Sequence, residues 1–152
     1  LNGWFLLALV EIGAGLLGLG VTGLAALRGG AVTLGVLLLA TAVFGLCLVA
    51  GVLLLFDYAA GRPLSMLVQA LQVVQVSSAA LVWRFVAGPQ VTLGMRAGEF
   101  TYGAGMFVDL TVFAPVPAGE PRGVLINVIA LGCLLGLMVG ARAGRASARA
   151  AA

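Results

Sequence analysis

Two long apolar runs separated by a few residues constrain this chain more than any other feature. Residues 4–27 carry one charged side chain, Glu11, and residues 31–56 carry none; Arg28-Gly29-Gly30 lies between them. A helix needs about 20 mostly apolar residues to cross the hydrocarbon of a bilayer, and both runs are that long. A connection this short makes the two helices antiparallel neighbours. Composition points the same way: 62% of residues are hydrophobic, mean hydropathy is +1.21 and 9% are charged, against about 25% charged in a soluble domain. The chain opens at Leu1 without a methionine, as a trimmed N-terminus would. The first run is longer than a secretory signal core and no basic segment precedes it, so it is expected to be a span.

Two further spans are expected. After "DYAAGRP" (57–63), Pro63 suits a first helical position, where its missing N–H costs nothing. A third apolar stretch runs over 64–87 and stops before Gly88-Pro89; a fourth follows "PAGEPR" and covers 123–141. Within the intervening loop, 88–121, "VTLGM" (91–95) and "MFVDLTVF" (106–113) alternate in character, and "RAGE" (96–99) supplies a turn. That alternation reads as strand. The expected fold class is thus an all-α integral membrane protein. It is a four-transmembrane-helix bundle in one domain, 1–152, with a β-hairpin or interfacial insertion between helices 3 and 4.

Four spans place both termini on one side. Arginines divide evenly between the two sides, but the tail's Arg142, Arg145 and Arg149 are dense and free of acids. The positive-inside rule then favours cytoplasmic termini, as in a multi-pass protein of a bacterial inner membrane. These three arginines share one helical stripe and fit contact with anionic headgroups, worth about 1 kcal/mol each. They have no aromatic partners, so the expected partner is the lipid bilayer and not nucleic acid.

Small residues recur every four positions in two places. Helix 4 carries Gly132, Gly136, Gly140 and Gly144, and helix 1 carries Ala14, Gly18, Thr22 and Ala26. Such ridges let helix backbones approach closely in lipid. Packing within the chain is the first expectation; a homo-oligomer or a place in a larger membrane complex is the alternative.

The candidate polar site is Glu11, Gln69, Gln72, Gln75 and Asn127. Glu11 is the only acid well inside a span, where inserting a charge costs about 2.5–3.5 kcal/mol even on the lenient scale. Three residues on a helix advance by 300°, so Gln69, Gln72 and Gln75 cover an arc of about 120°, with Ser65 on the same side. Unpaired amides in hydrocarbon are costly, so Glu11, Asn127 and Thr41 are their candidate partners. Interhelical hydrogen bonds in membranes average only about 0.6 kcal/mol, so stability alone does not account for three glutamines. Fixing helix register or lining a wet cavity would.

No histidine is present, and Cys47 and Cys133 form neither a CxxC pair nor a zinc spacing. No metal, cofactor or catalytic group is expected, and a membrane enzyme acting on lipid or quinone has the least support. The expected function is non-catalytic: a small polytopic structural, assembly or accessory subunit. The alternative is a small transporter or channel using Glu11 and the glutamine stripe. In that light "LVEIGAG" (9–15), a glutamate in the first of four spans, resembles the small multidrug resistance transporters over those residues alone. The third span lacks their aromatic and glycine-rich signature and the long loop is foreign to them, so the chain is not assigned to that family.

Overall fold

The computed structural model describes residues 4–28, 33–113 and 121–150, with residue 113 and residues 141–150 given as backbone only. Among these the chain forms four helices and four strands. Helices α1 (Phe5–Leu27) and α2 (Leu34–Leu55) come first, then α3 (Gly61–Val73). Strands β1 (Val74–Ser77), β2 (Val82–Arg96), β3 (Glu99–Phe113) and β4 (Gly123–Asn127) follow, and α4 (Val128–Ala150) closes the chain.

The expected all-α four-helix bundle is therefore incorrect. Among the described residues, only α1 and α2 are helices long and apolar enough to cross a membrane; the apolar part of α4 is Val128–Gly140. The expected span over 64–87 is helix for its first half alone. Val73, Val74 and Val76 are β-branched and stiff at χ1, which disfavours helix and favours strand, and at Val74 the backbone turns extended. The expected span over 123–141 begins as strand and becomes helix only at Val128. The expected loop over 88–121 is largely the hairpin of β2 and β3, which starts inside the stretch read as span three. Hydropathy reports burial in either conformation and does not by itself separate a buried strand from a buried helix.

α1 and α2 pack tightly as antiparallel neighbours. A Cβ on Gly15 would lie 2.7 Å from the Leu48 backbone nitrogen, and one on Gly51 would lie 2.8 Å from the Ala8 carbonyl oxygen. Gly18 lies against the Phe44 ring. Side chains at these positions would force the helices apart. Thr33 caps α2, its hydroxyl accepting from the Val36 N–H at 3.4 Å. α3 then packs between α2 and α4. The main core forms where α2, α3 and β2 meet: Phe44, Cys47, Val68, Phe85 and Ala87 are all buried, with the Phe44 and Phe85 rings edge to face at 5.8 Å.

The sheet order is β1-β4-β2-β3, with β1 also pairing to β2. β1 runs antiparallel to β4, β4 antiparallel to residues 92–96 of β2, and β1 antiparallel to residues 82–83 of β2. Straight strands cannot satisfy all three. β2 must reverse its heading between its two ends, and β3 follows it through an unbroken ladder. The bend falls around Gly88, whose φ of +117 suits glycine, and where a Cβ would meet Val10 of α1 at 2.5 Å. The hairpin tip is the two-residue turn Ala97-Gly98, both at positive φ, the mirror-type turn that matches strand twist. Between the two paired ends, residues 84–91 of β2 have no strand on the side away from β3 among the described residues.

Candidate functional site

Two of the buried polar residues, Gln72 and Gln75, reach that gap in the sheet. Glu11, on the face of α1 turned inward, is 0% exposed. Its Oε2 accepts from the Ser65 hydroxyl at 2.7 Å and its Oε1 from the Gln69 amide at 3.0 Å. Ser65 and Gln69 are one turn apart on α3, so both reach the same carboxylate. Each carboxylate oxygen thus has a donor, as a buried polar group requires.

Gln72, one turn further on, turns to the sheet instead. Its Oε1 accepts from the Ala87 backbone N–H at 2.8 Å, and its Nε2 lies 3.5 Å from the Val68 carbonyl oxygen. Ala87 lies in the stretch of β2 that lacks a second strand, so the side-chain amide replaces a missing ladder bond. Gln75 sits on β1, not on the helix, and donates through Nε2 to Gln90 Oε1 at 2.9 Å. The indole of Trp83 donates to the Leu71 carbonyl at 3.3 Å, satisfying one of the carbonyls left open at the end of α3. The glutamines therefore do not form one helical stripe. Two are helical and one is on a strand, and they tie α3 and β1 to three different acceptors or donors.

Asn127 is fully buried but does not join the glutamines. It is the N-cap of α4: its Oδ1 accepts from the Ile129 and Ala130 N–H groups at 3.2 and 3.3 Å, the usual capping positions. Its Nδ2 has no partner among the described residues. Thr41 is exposed and donates to the Leu37 carbonyl on its own helix. Sequence reasoning missed Gln90 and the Ala87 N–H, because both fall in a segment read as the end of a span and the start of a loop. The signal was the β-branched run at 73–76, which marks where the helix gives way.

The small-residue positions separate into two groups. Ala14, Gly18 and Thr22 are buried; Gly18 meets α2, and Thr22 donates back to the Gly18 carbonyl at 2.8 Å. On α4, a Cβ on Gly136 or Gly140 would lie 3.0 or 3.5 Å from the Trp4 ring, so these glycines receive an indole and not a helix, while a Cβ on Gly132 would meet nothing within 4 Å. Arg142, Arg145 and Arg149 lie on the backbone of α4, and their side chains fall outside the described residues.

Chemically, the site is a closed set of hydrogen bonds. No group of three or more metal-ligating side chains occurs among the described residues. Two cavities are described. One, of about 370 Å³, is a half-open hollow among the strands; the other, of about 750 Å³, lies between α1, α2 and β3. Glu11, Gln69 and Gln72 line neither of them, and Gln75 touches the first. No protein-family model, curated protein or solved structure matches the chain.

Proposed function

We propose that this chain is a non-catalytic membrane domain with a structural or accessory role in a larger assembly. In this reading α1 and α2 cross the bilayer as a hairpin. The buried polar set fastens α3 and the bent β-ribbon to one side of that hairpin. The outer surface suits lipid: Leu6, Leu17, Val21 and Leu27 on α1 and Leu34 and Leu38 on α2 are exposed.

One observation carries the choice of a structural role over transport. The Glu11 carboxylate, the one acid in either long helix, accepts one direct bond on each oxygen, from Ser65 and from Gln69, and is 0% exposed. A coupling site for an ion or solute needs a carboxylate that exchanges partners with water or cargo; here both oxygens are occupied by the protein. The test is stability and solute flux in proteoliposomes for the parent, Glu11→Gln and Gln72→Leu. The structural reading expects no flux from the parent and a loss of stability in Gln72→Leu. It fails if the parent moves solute and Glu11→Gln abolishes that movement with its stability intact.

A further inference from the structure

The sheet has its polar and apolar faces the opposite way round from those of a soluble fold. At the hairpin end four strands lie side by side, and their register lines residues up across them. Val74, Ile126, Leu93 and Tyr102 form one such row. Val76, Val124, Met95 and Phe100 form the next. Side chains two apart on a strand share a face, so the two rows belong to one surface. Val91 opposite Ala104, and Pro89 opposite Met106, continue it along the β2–β3 ribbon. The Tyr102 hydroxyl is the one polar side-chain group among these residues, and none is charged.

The alternate positions carry the polarity. Gln75, Thr92, Thr101 and Asn127 lie on the other face, and so do Arg96 and Glu99 near the tip. That face curls around the half-open hollow, which Gln75, Ser77, Leu125 and Arg96 line. Gln75, Thr92 and Asn127 are buried, whereas seven of the eight residues in the two apolar rows are between 40% and 79% exposed. The outer strands of such a sheet lie about 14 Å apart. A contiguous exposed apolar surface of this kind marks an interaction site and not a solvated face.

We propose that this outer face of the sheet rests on the membrane, at the boundary between headgroups and acyl chains. The apolar rows lie on the outer side of a curled sheet. Two such convex faces meet over little area, short of the roughly 800 Å² per partner of a stable protein interface, whereas lipid conforms to the curve. The border of the face carries the side chains of that boundary. Phe100 and Tyr102 stand on the outermost strand, and exposed Arg122 sits beside the turn, its carbonyl accepting from the Ala97 N–H at 2.7 Å. Aromatic rings and arginines favour the headgroup level. β4 leads into α4, where Val128, Leu135 and Val139 share a helical stripe and are exposed too, so the apolar surface continues onto that helix. The open edge of β3 excludes a deeper position, because unpaired strand edges cannot face acyl chains. The proposal rests on the membrane reading of α1 and α2, which anchor the chain.

The test uses the full chain labelled with fluorotyrosine in phosphatidylcholine vesicles. Tyr58 and Tyr102 are its two tyrosines, and Tyr58→Phe leaves the fluorine resonance of Tyr102 alone. Its broadening is compared for three paramagnetic agents: a lipid spin-labelled near the headgroup, a lipid spin-labelled at the chain terminus, and a gadolinium chelate in the water. The lipid labelled near the headgroup should broaden it most. Strongest broadening by the chelate puts the face in water; no broadening by any agent puts it under a second copy or another protein. Strongest broadening by the terminal label puts it among the acyl chains, and each of these three results overturns the proposal. Leu93→Glu combined with Ile126→Glu changes exposed side chains only and should leave circular dichroism in detergent unchanged. In vesicles it should cost Tyr102 its lipid broadening and expose it to the chelate; unaltered lipid broadening would show that the face is not what holds the sheet there. Alkaline carbonate separates this from the reading it rests on. If α1 and α2 do not span, carbonate strips the chain from the vesicles; if only the sheet is misplaced, the chain stays and the lipid label near the headgroup is not the strongest.

Discussion

The bonds at Glu11 predict a reversal of sign that few other arrangements would produce. In the parent, Gln69→Leu and Ser65→Ala each remove a donor from a wholly buried carboxylate. Leaving a buried polar group unsatisfied costs about 1–3 kcal/mol, more for a charged one, so each variant should be destabilised by at least that amount. Glu11→Leu does the opposite: it strands the Ser65 hydroxyl and the Gln69 amide, both buried. In that background Gln69→Leu and Ser65→Ala no longer break anything. They remove two orphaned donors, and together should restore about 2–4 kcal/mol, since replacing all partners of a buried set by apolar groups can be nearly neutral. Glu11→Gln should sit within about 1 kcal/mol of the parent: its Oε1 accepts from Gln69, and the Ser65 hydroxyl rotates to accept from its Nε2. The assay is reversible unfolding in detergent micelles, followed by circular dichroism, for all combinations of the three sites. If Gln69→Leu and Ser65→Ala destabilise equally with Glu and with Leu at position 11, the three side chains are not coupled and the reasoning is wrong.

Gln72→Leu should cost about 1–3 kcal/mol by stranding the Ala87 N–H, and hydrogen exchange should speed up at that amide while the rest of the β2–β3 ladder stays protected. Asn127→Ala should lose the α4 cap at about 0.5–2 kcal/mol, and Asn127→Ser, which keeps a capping oxygen without the unpartnered Nδ2, should recover most of it; thermal melts decide. Gly15→Ala should cost about 1–3 kcal/mol by overpacking against the Leu48 backbone, whereas Gly132→Ala, with open space at its Cβ, should be neutral or stabilising by up to about 1 kcal/mol from helix propensity. Equal effects at Gly15 and Gly132 in the same melting assay would contradict the packing described here.

The hairpin of α1 and α2 was legible because length, apolarity and a short connection leave it no other arrangement. The pairing of Glu11 with Gln69 was legible too: an acid and an amide in neighbouring apolar segments have few other partners. The second half of the chain was not legible by the same route. Val74–Ser77 and Gly123–Asn127 are as apolar as the helices they adjoin, and hydropathy does not separate a buried strand from a buried helix. What separates them is β-branching at 73–76 and the capping asparagine at 127, both local signals that a reading tuned to 20-residue spans passes over. Gln75 shows the consequence. Helical phase placed it on one face with Gln69 and Gln72, yet it is buried on a strand and bonded to Gln90, a residue assigned to the loop.

The interrupted sheet gives Gln72 the reason that its bond strength alone does not. In an apolar setting an unpaired strand edge is untenable, because each open N–H or carbonyl costs several kcal/mol. β2 lacks a second strand over 84–91, and there the Gln72 side chain stands in for a strand while Gln75 reaches Gln90 beside it. The same constraint bears on β3, at the outer edge of the sheet order. Its length from Phe100 to Phe107 presents exposed Phe100, Tyr102, Met106 and Phe107, but no described strand covers its outer backbone. The hairpin's tip carries Arg96 and Glu99, and its other end the Arg84–Asp109 ion pair. Under the membrane reading, a ribbon charged at both ends and open along one edge cannot face the acyl chains along its length. It must lie where headgroups and water reach that edge, or under another chain that pairs with it, and either position is one that an accessory subunit would occupy.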